Sequence, residues 1–253
     1  PAGGCPEEFA DNIADAVTRG YRVVKTTVPV YYGQLRKVSQ DGAEYRAQGT
    51  AYSGTKGQVD GSHNEHQWTD AAVVRAVVAF LSHARKVHGS NVEIWVDCHA
   101  RLSCATAMQL LHGLAGIVDL LEEPVPPEDI RGLRLLREAA AARGGPRLAA
   151  GERTATVYDR NMVSMVTEQA VDVFQPDPGN CGGYGQAHEL ASLAAMNNVA
   201  LAPHNPNGPI SVAQGLQVMC SVRNGYLLET VGNAAEAELA AQLLEDPAPL
   251  AAK

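Results

Sequence analysis

The run Val92-Glu93-Ile94-Trp95-Val96-Asp97 decides the fold. It is apolar and β-forming, it ends in a carboxylate, and helical sequence follows it. The same arrangement recurs twice. Ile117-Val118-Asp119-Leu120-Leu121 ends in Glu122, and Leu148-Ala149-Ala150-Gly151 ends in Glu152, each again ahead of a helical stretch. Such runs suit strands buried on both faces, and parallel neighbours need crossovers that helices supply. The three carboxylates are therefore expected at the carboxyl ends of parallel strands, the outline of a divalent-metal site.

Working outward, the alternation continues along the chain. Helices are expected near Pro6–Arg19, 69–87, 103–114, 127–143, 156–167, 184–196 and 209–222. Strands are expected at Tyr21–Val28, 92–97, 117–122, 148–152, Val171–Gln175 and Val199–Ala202, with a last one ending at Glu229. This order predicts one α/β domain over residues 1–253, a TIM-type (β/α) barrel with seven of the eight strands in view. The strand missing from the series is the first, which leaves edges on Tyr21–Val28 and on the terminal strand. Unpaired edges favour association, so a homo-oligomer is expected. Residues 29–67 are rich in Gly, Ser, Thr and Tyr without a hydrophobic period and read as a long loop or lid on the carboxylate face. Residues 233–253 read as an Ala- and Glu-rich tail, and no internal repeat is visible.

Composition narrows the partners. The chain has 253 residues, 45% of them hydrophobic, and a formal charge of −8. That balance argues against nucleic acid, whose phosphates need clustered cations, and points to a small-molecule substrate. The cysteines Cys5, Cys98, Cys104, Cys181 and Cys220 are odd in number and form no CxxC pair, which argues against a disulfide scaffold or a zinc knuckle. No apolar run is long enough to span a bilayer, and a cytoplasmic protein without membrane partners is expected.

Further chemistry sits at the same strand ends. Asp97 and His99 are two residues apart, which puts both on one face if the strand continues. The next strands end in Gln175-Pro176-Asp177 and His204-Asn205-Pro206. Neighbouring ends bring Asp177 near His204, where a carboxylate can fix an imidazole tautomer and raise its basicity. Glu229 closes the last strand and can orient, or donate to, a developing oxyanion. Taken singly, each acid is also an ordinary helix-dipole partner and each histidine an ordinary loop side chain. Two other clusters carry less. His63-Asn64-Glu65-His66 matches no zinc motif, and Cys181-Gly182-Gly183-Tyr184-Gly185 reads as a tight turn into a helix rather than a dinucleotide fingerprint.

The strings Val96-Asp97-Cys98-His99-Ala100-Arg101, Leu121-Glu122-Glu123-Pro124, Gly151-Glu152-Arg153, Gln175-Pro176-Asp177 and His204-Asn205-Pro206-Asn207-Gly208-Pro209, with Glu229 last, carry a resemblance. Together the sequence resembles the enolase superfamily in its mandelate racemase branch, and within it the D-galactonate dehydratase-like sugar-acid dehydratases. The resemblance implies that Asp97, Glu122 and Glu152 bind Mg²⁺. It implies that His204, paired with Asp177, is the base that takes the proton beside the substrate carboxylate. His99 would be the acid that protonates the departing hydroxyl, and Glu229 would stabilise the enediolate. The implied reaction converts an acid sugar, an aldonate such as galactonate, into a 2-keto-3-deoxy acid. Racemisation or epimerisation of a hydroxy acid is the alternative outcome of the same enolate, and a catalytically silent barrel fragment is another. The racemases of the branch carry Lys-x-Lys where this chain reads Lys25-Thr26-Thr27, and the small α+β capping domain of the family has no counterpart in these residues.

Overall fold

A computed structural model describes residues 5–28, 39–40, 43–44, 70–153, 159–231 and 242. The expected lid over 29–67 therefore lies outside the described residues, apart from a short antiparallel ladder of Ser39–Gln40 and Ala43–Glu44. His63 to His66 and the tail over 233–253, apart from Gln242, lie outside them as well.

The chain divides into two compact units, Pro1–Val125 with Glu138–Pro146, and Pro126–Arg137 with Arg147–Lys253. In the first unit the elements run α1 (Pro6–Thr18), β1 (Val23–Thr27), β2 (Ser39–Gln40), β3 (Ala43–Glu44), α2 (Asp70–His88), β4 (Glu93–Asp97), α3 (Cys104–Gly113) and β5 (Leu120–Glu122). Helix α4 (Ile130–Arg143) contributes residues to both units. The second unit continues with β6 (Arg147–Ala150), α5 (Arg160–Thr167), β7 (Val173–Phe174), α6 (Tyr184–Met196), β8 (Ala200–Leu201) and α7 (Pro209–Ser221).

Each unit builds a parallel sheet. In the first, β1 pairs with β4 and β4 with β5, so that Thr27, Asp97 and Glu122 lie on one rung. In the second, β6 pairs with β7 and β7 with β8, and Ala150, Phe174 and Leu201 share a rung. Ile94, Val96, Leu120, Leu121, Leu148, Ala149, Val173 and Leu201 are buried, as strands covered on both faces require. The helices start where local chemistry permits. Pro6 opens α1 behind Cys5, the Ser103 hydroxyl accepts from the Thr106 N–H at α3, and Asp159 caps α5 through the Asn161 N–H.

Several expected strands shorten, two of them most plainly. The strand foreseen over 117–122 begins only at Leu120, because the Ile117 and Val118 N–H groups bond back to the Leu114 carbonyl and close the end of α3. The strand foreseen to end at Glu229 shrinks to one parallel bridge, Leu201 with Gly225. Leu201 N–H donates to the Asn224 carbonyl, and its carbonyl accepts from the Tyr226 N–H. The next rung needs an N–H at position 203, and Pro203 has none, so the ladder stops there.

A repeat that the residues did not reveal lies at the strand starts. In the first unit Arg85 of α2 grips the Asp119 carboxylate and the carbonyls of Gly89, Val92 and Ile117, while Asp119 accepts from the Ile94 N–H. In the second unit Arg137 of α4 donates to Asp172 at 2.6 Å and to the Gln169 carbonyl, while Asp172 accepts from the Leu148 N–H at 2.9 Å. Each clamp ties a helix to the entry of one strand and to the backbone of its neighbour.

The clamp predicts a graded response to truncation. Asp172→Ala strands the Leu148 N–H and the Arg137 guanidinium, and is expected to cost about 1–3 kcal/mol. Glu168→Ala removes only the exposed 3.4 Å pair with Arg134 and should cost under about 1 kcal/mol. Urea unfolding of both variants measures the difference, and equal losses would remove the clamp from the account of stability.

Candidate active site

In the first unit the parallel register sets two carboxylates side by side. Asp97 ends β4 and Glu122 ends β5 as its rung partner, and they are 3% and 0% exposed. Adjacent buried carboxylates repel, and each here meets a cationic or imidazole group. Lys25 Nζ, on β1, donates to Glu122 Oε1 at 2.8 Å. His99 donates its backbone N–H to Asp97 Oδ1 at 2.8 Å, and its Nε2 lies 2.6 Å from Asp97 Oδ2.

The His99 contact arises from a different backbone than expected. The strand stops at Asp97, and His99 and Ala100 adopt φ values of 50° and 56°, a left-handed turn. The turn folds the imidazole back onto Asp97, a neighbourhood that a continued strand would also have given it. Such a conformation is costly in non-glycine residues and is concentrated at functional sites.

In the second unit Glu152, Asp177 and His204 lie two or three residues past the rung of Ala150, Phe174 and Leu201. The strand expected to reach Glu152 ends at Ala150, because Gly151 turns the chain at φ 138°. A Cβ at Gly151 would meet the Phe174 ring at 3.0 Å and the Gln175 backbone at 3.1 Å, so the packing there has room for glycine. His204 is held at both ring nitrogens. Nδ1 bonds Asp177 Oδ2 at 2.9 Å, and Nε2 lies 3.0 Å from Glu152 Oε2. Arg153 Nη2 is 3.3 Å from the other Glu152 oxygen. Glu229, past the single bridge, accepts from the Asn205 N–H at 3.1 Å.

Electrostatics follows from these contacts. Burial acts to lower the His204 pKa, but the hydrogen bonds to Asp177 and Glu152, with the charges of Glu152 and Glu229, carry it up to about 10. Burial acts to raise the Asp177 pKa, and the donors His204, the Gly179 N–H and Asn207 outweigh it, so the carboxyl is held below its ordinary value. Burial, with Asp97, Glu122 and Glu123 beside it, pushes the Cys98 thiol well up, and Cys181 is raised to about 11 by burial and Asp177. Both thiols stay protonated at neutral pH and are poor nucleophiles.

Several contributors were not singled out from the residues. Lys25, which in the sequence stands out only against the Lys-x-Lys of the racemases, is the cation on Glu122. Asn180 and Asn207 donate to Asp177 Oδ2 at 3.3 and 3.0 Å. The string His204-Asn205-Pro206-Asn207 was the available signal for the second of these, since an asparagine near a strand end can reach back to a buried carboxylate. Gly182 and Gly183, with φ of 105° and 94°, form the tight turn expected before α6.

Residues 8–252 match the family model described as Enolase C-terminal domain-like. Over 158 residues the chain is 35% identical to the D-galactonate dehydratase of Variovorax paradoxus, an overlap of 62% of this chain and 40% of that protein. Over 157 residues it is 33% identical to the D-galactonate dehydratase of Pectobacterium atrosepticum, with the same coverage of 62% and 40%. The chain thus spans about 40% of the length of these curated relatives. Its structure is similar to a solved mandelate racemase/muconate lactonizing enzyme from Sulfitobacter sp, with a TM-score of 0.70 and 22% identity, over 93% of this chain and 51% of that one. That likeness shows the fold, the TIM-type α/β barrel of the enolase superfamily.

The raised His204 pKa predicts how the metal-free chain responds to pH. Between about 6.5, the ordinary histidine value, and about 10, the folded state holds a proton that the unfolded state has released. The stabilisation is complete below the lower value and is lost as pH rises through the upper one. Unfolding free energy in chelator should fall by up to about 1.4 kcal/mol per pH unit across that window. His204→Gln should flatten the profile, and an unchanged slope in that variant would reject the assignment.

Proposed function

The chain belongs to the enolase C-terminal domain-like family, and from that premise we propose that it carries the site of a Mg²⁺-dependent sugar-acid dehydratase. The substrate class is an aldonate such as galactonate, and the product is the 2-keto-3-deoxy acid, reached through an enediolate. The observation that carries the reading is the His204–Asp177 bond of 2.9 Å, made by a fully buried carboxylate to one nitrogen of a histidine at a strand end. Similarity to the D-galactonate dehydratases of Variovorax paradoxus and Pectobacterium atrosepticum supports the substrate class.

Asp97, Glu122 and Glu152 are the proposed metal ligands. The donors suit a hard cation: all are carboxylates, all are buried, and Asp97 and Glu122 are rung partners whose mutual repulsion a shared cation relieves. When bound, Mg²⁺ supplies positive charge that stabilises the negative charge developing on the substrate's carboxylate oxygens. His204 takes the proton from the carbon beside that carboxylate. With Nδ1 committed to Asp177, Nε2 is the atom that would receive it, once a bound cation engages Glu152 and releases this nitrogen from the contact that keeps it protonated in the metal-free chain. His99 then delivers a proton to the departing hydroxyl, which leaves as water. Glu229 donates a hydrogen bond to an oxygen of the enediolate.

Dehydration is favoured over two-base racemisation by β1. Lys25 is engaged with Glu122, and the position of the second lysine is Thr27, the rung partner of Asp97. The same reading takes the protein as cytoplasmic and self-associating, with an acid sugar rather than nucleic acid or membrane as its partner. Among the described residues no helix is long and apolar enough to cross a membrane.

A panel of aldonates with Mg²⁺, scored by 2-keto acid formation, tests the proposal on the full-length protein. Activity is expected with at least one sugar acid and should vanish in chelator. His204→Ala should abolish exchange of the substrate proton with solvent deuterium, a loss of at least about 100-fold for removal of a general base. His99→Ala should keep exchange and lose dehydration. Turnover that survives in both variants would overturn these roles.

A further inference from the structure

We propose that Asn205 is a positioning residue that holds the Glu229 carboxyl in its working orientation, a role that rests on the dehydratase reading for its catalytic meaning. Glu229 lies in a segment that the sheet does not hold. The ladder from β8 ends with the Tyr226 N–H on the Leu201 carbonyl, because Pro203 cannot donate the next bond. Four residues past Leu201, Asn205 takes over. Its side-chain amide Nδ2 donates to the Glu229 carbonyl at 2.9 Å, and its backbone N–H donates to Glu229 Oε2 at 3.1 Å.

One residue therefore replaces a backbone rung through its side chain and aims a carboxyl through its backbone N–H. The grip is at two points, main chain and side chain, which fixes both where Glu229 sits and how its carboxyl is turned. Asn205 is itself fully buried, so its amide has no water to exchange with and the bonds are not diluted by solvent. The backbone contact also distinguishes the two carboxyl oxygens, since the N–H engages Oε2. Because Asn205 follows His204 directly, a single dipeptide sets the base and the oxyanion donor together.

A double-mutant cycle separates positioning from mere packing. In the full-length protein with Mg²⁺ and its aldonate, Asn205→Ala is expected to lower kcat by roughly 10- to 100-fold, as loss of residues that orient a site group does, with KM changed by less than about threefold. In a Glu229→Ala background the same substitution should change kcat by less than about twofold. Asn205→Ser, which keeps a donor, should recover part of the loss, and it stands in if the alanine variant fails to fold. An effect of Asn205→Ala that is as large without Glu229 as with it would overturn the proposal. NMR of the Asn205 backbone and side-chain amides in the wild type and in Glu229→Gln gives an answer independent of turnover. If no aldonate is dehydrated, the function reading fails while a shift of the Asn205 backbone amide, the donor to Glu229 Oε2, still upholds the grip. An unmoved backbone amide signal rejects it, whatever the activity.

Discussion

Parallel pairing is the constraint on which the site depends. Strands that run the same way end on the same side, so residues just past one rung are neighbours however far apart they stand in the chain. In the first unit this places Asp97 beside Glu122. In the second it carries Glu152, Asp177 and His204 just beyond the rung of Ala150, Phe174 and Leu201, where they form one chain of contacts through the imidazole. The opposite ends of the strands are used for stability. There the Arg85–Asp119 and Arg137–Asp172 clamps bond helices to strand entries and leave no role for chemistry.

Charge compensation is the second theme. A buried carboxylate is tolerated only when donors or cations surround it. Glu122 has Lys25, and Asp177 has His204, Asn180, Asn207 and the Gly179 N–H. The donors around Asp177 hold its carboxyl below the ordinary value, which suits a group that orients a proton acceptor. The same surroundings keep Cys98 and Cys181 protonated, so the thiols nearest the acids are packing groups.

Most of the element order was legible because apolar runs and turn signals alternate plainly. Helix α6 begins and ends where the residues place it, and β4 differs from expectation by one residue. The errors have specific causes. Ile117 and Val118 look like strand residues but are claimed by the end of α3, a local competition that apolar character cannot reveal. The last strand fails at Pro203, a residue on its neighbour rather than in its own sequence. The clamp repeat was invisible because its arginines and aspartates sit at unequal spacings, 34 residues apart in one case and 35 in the other, with unlike sequence between.

By itself the sequence determined the alternation of strands and helices, the identity of the acids and histidines at strand ends, and a resemblance that named a superfamily. These depend on local pattern, since β-character, turn residues and the type of side chain are carried by neighbours in the chain. Only the tertiary structure decided that Lys25 meets Glu122, that a left-handed turn folds His99 back on Asp97, and that Asn205 grips Glu229. Those contacts join residues by register and backbone angle, and neither quantity is written in the order of residue types.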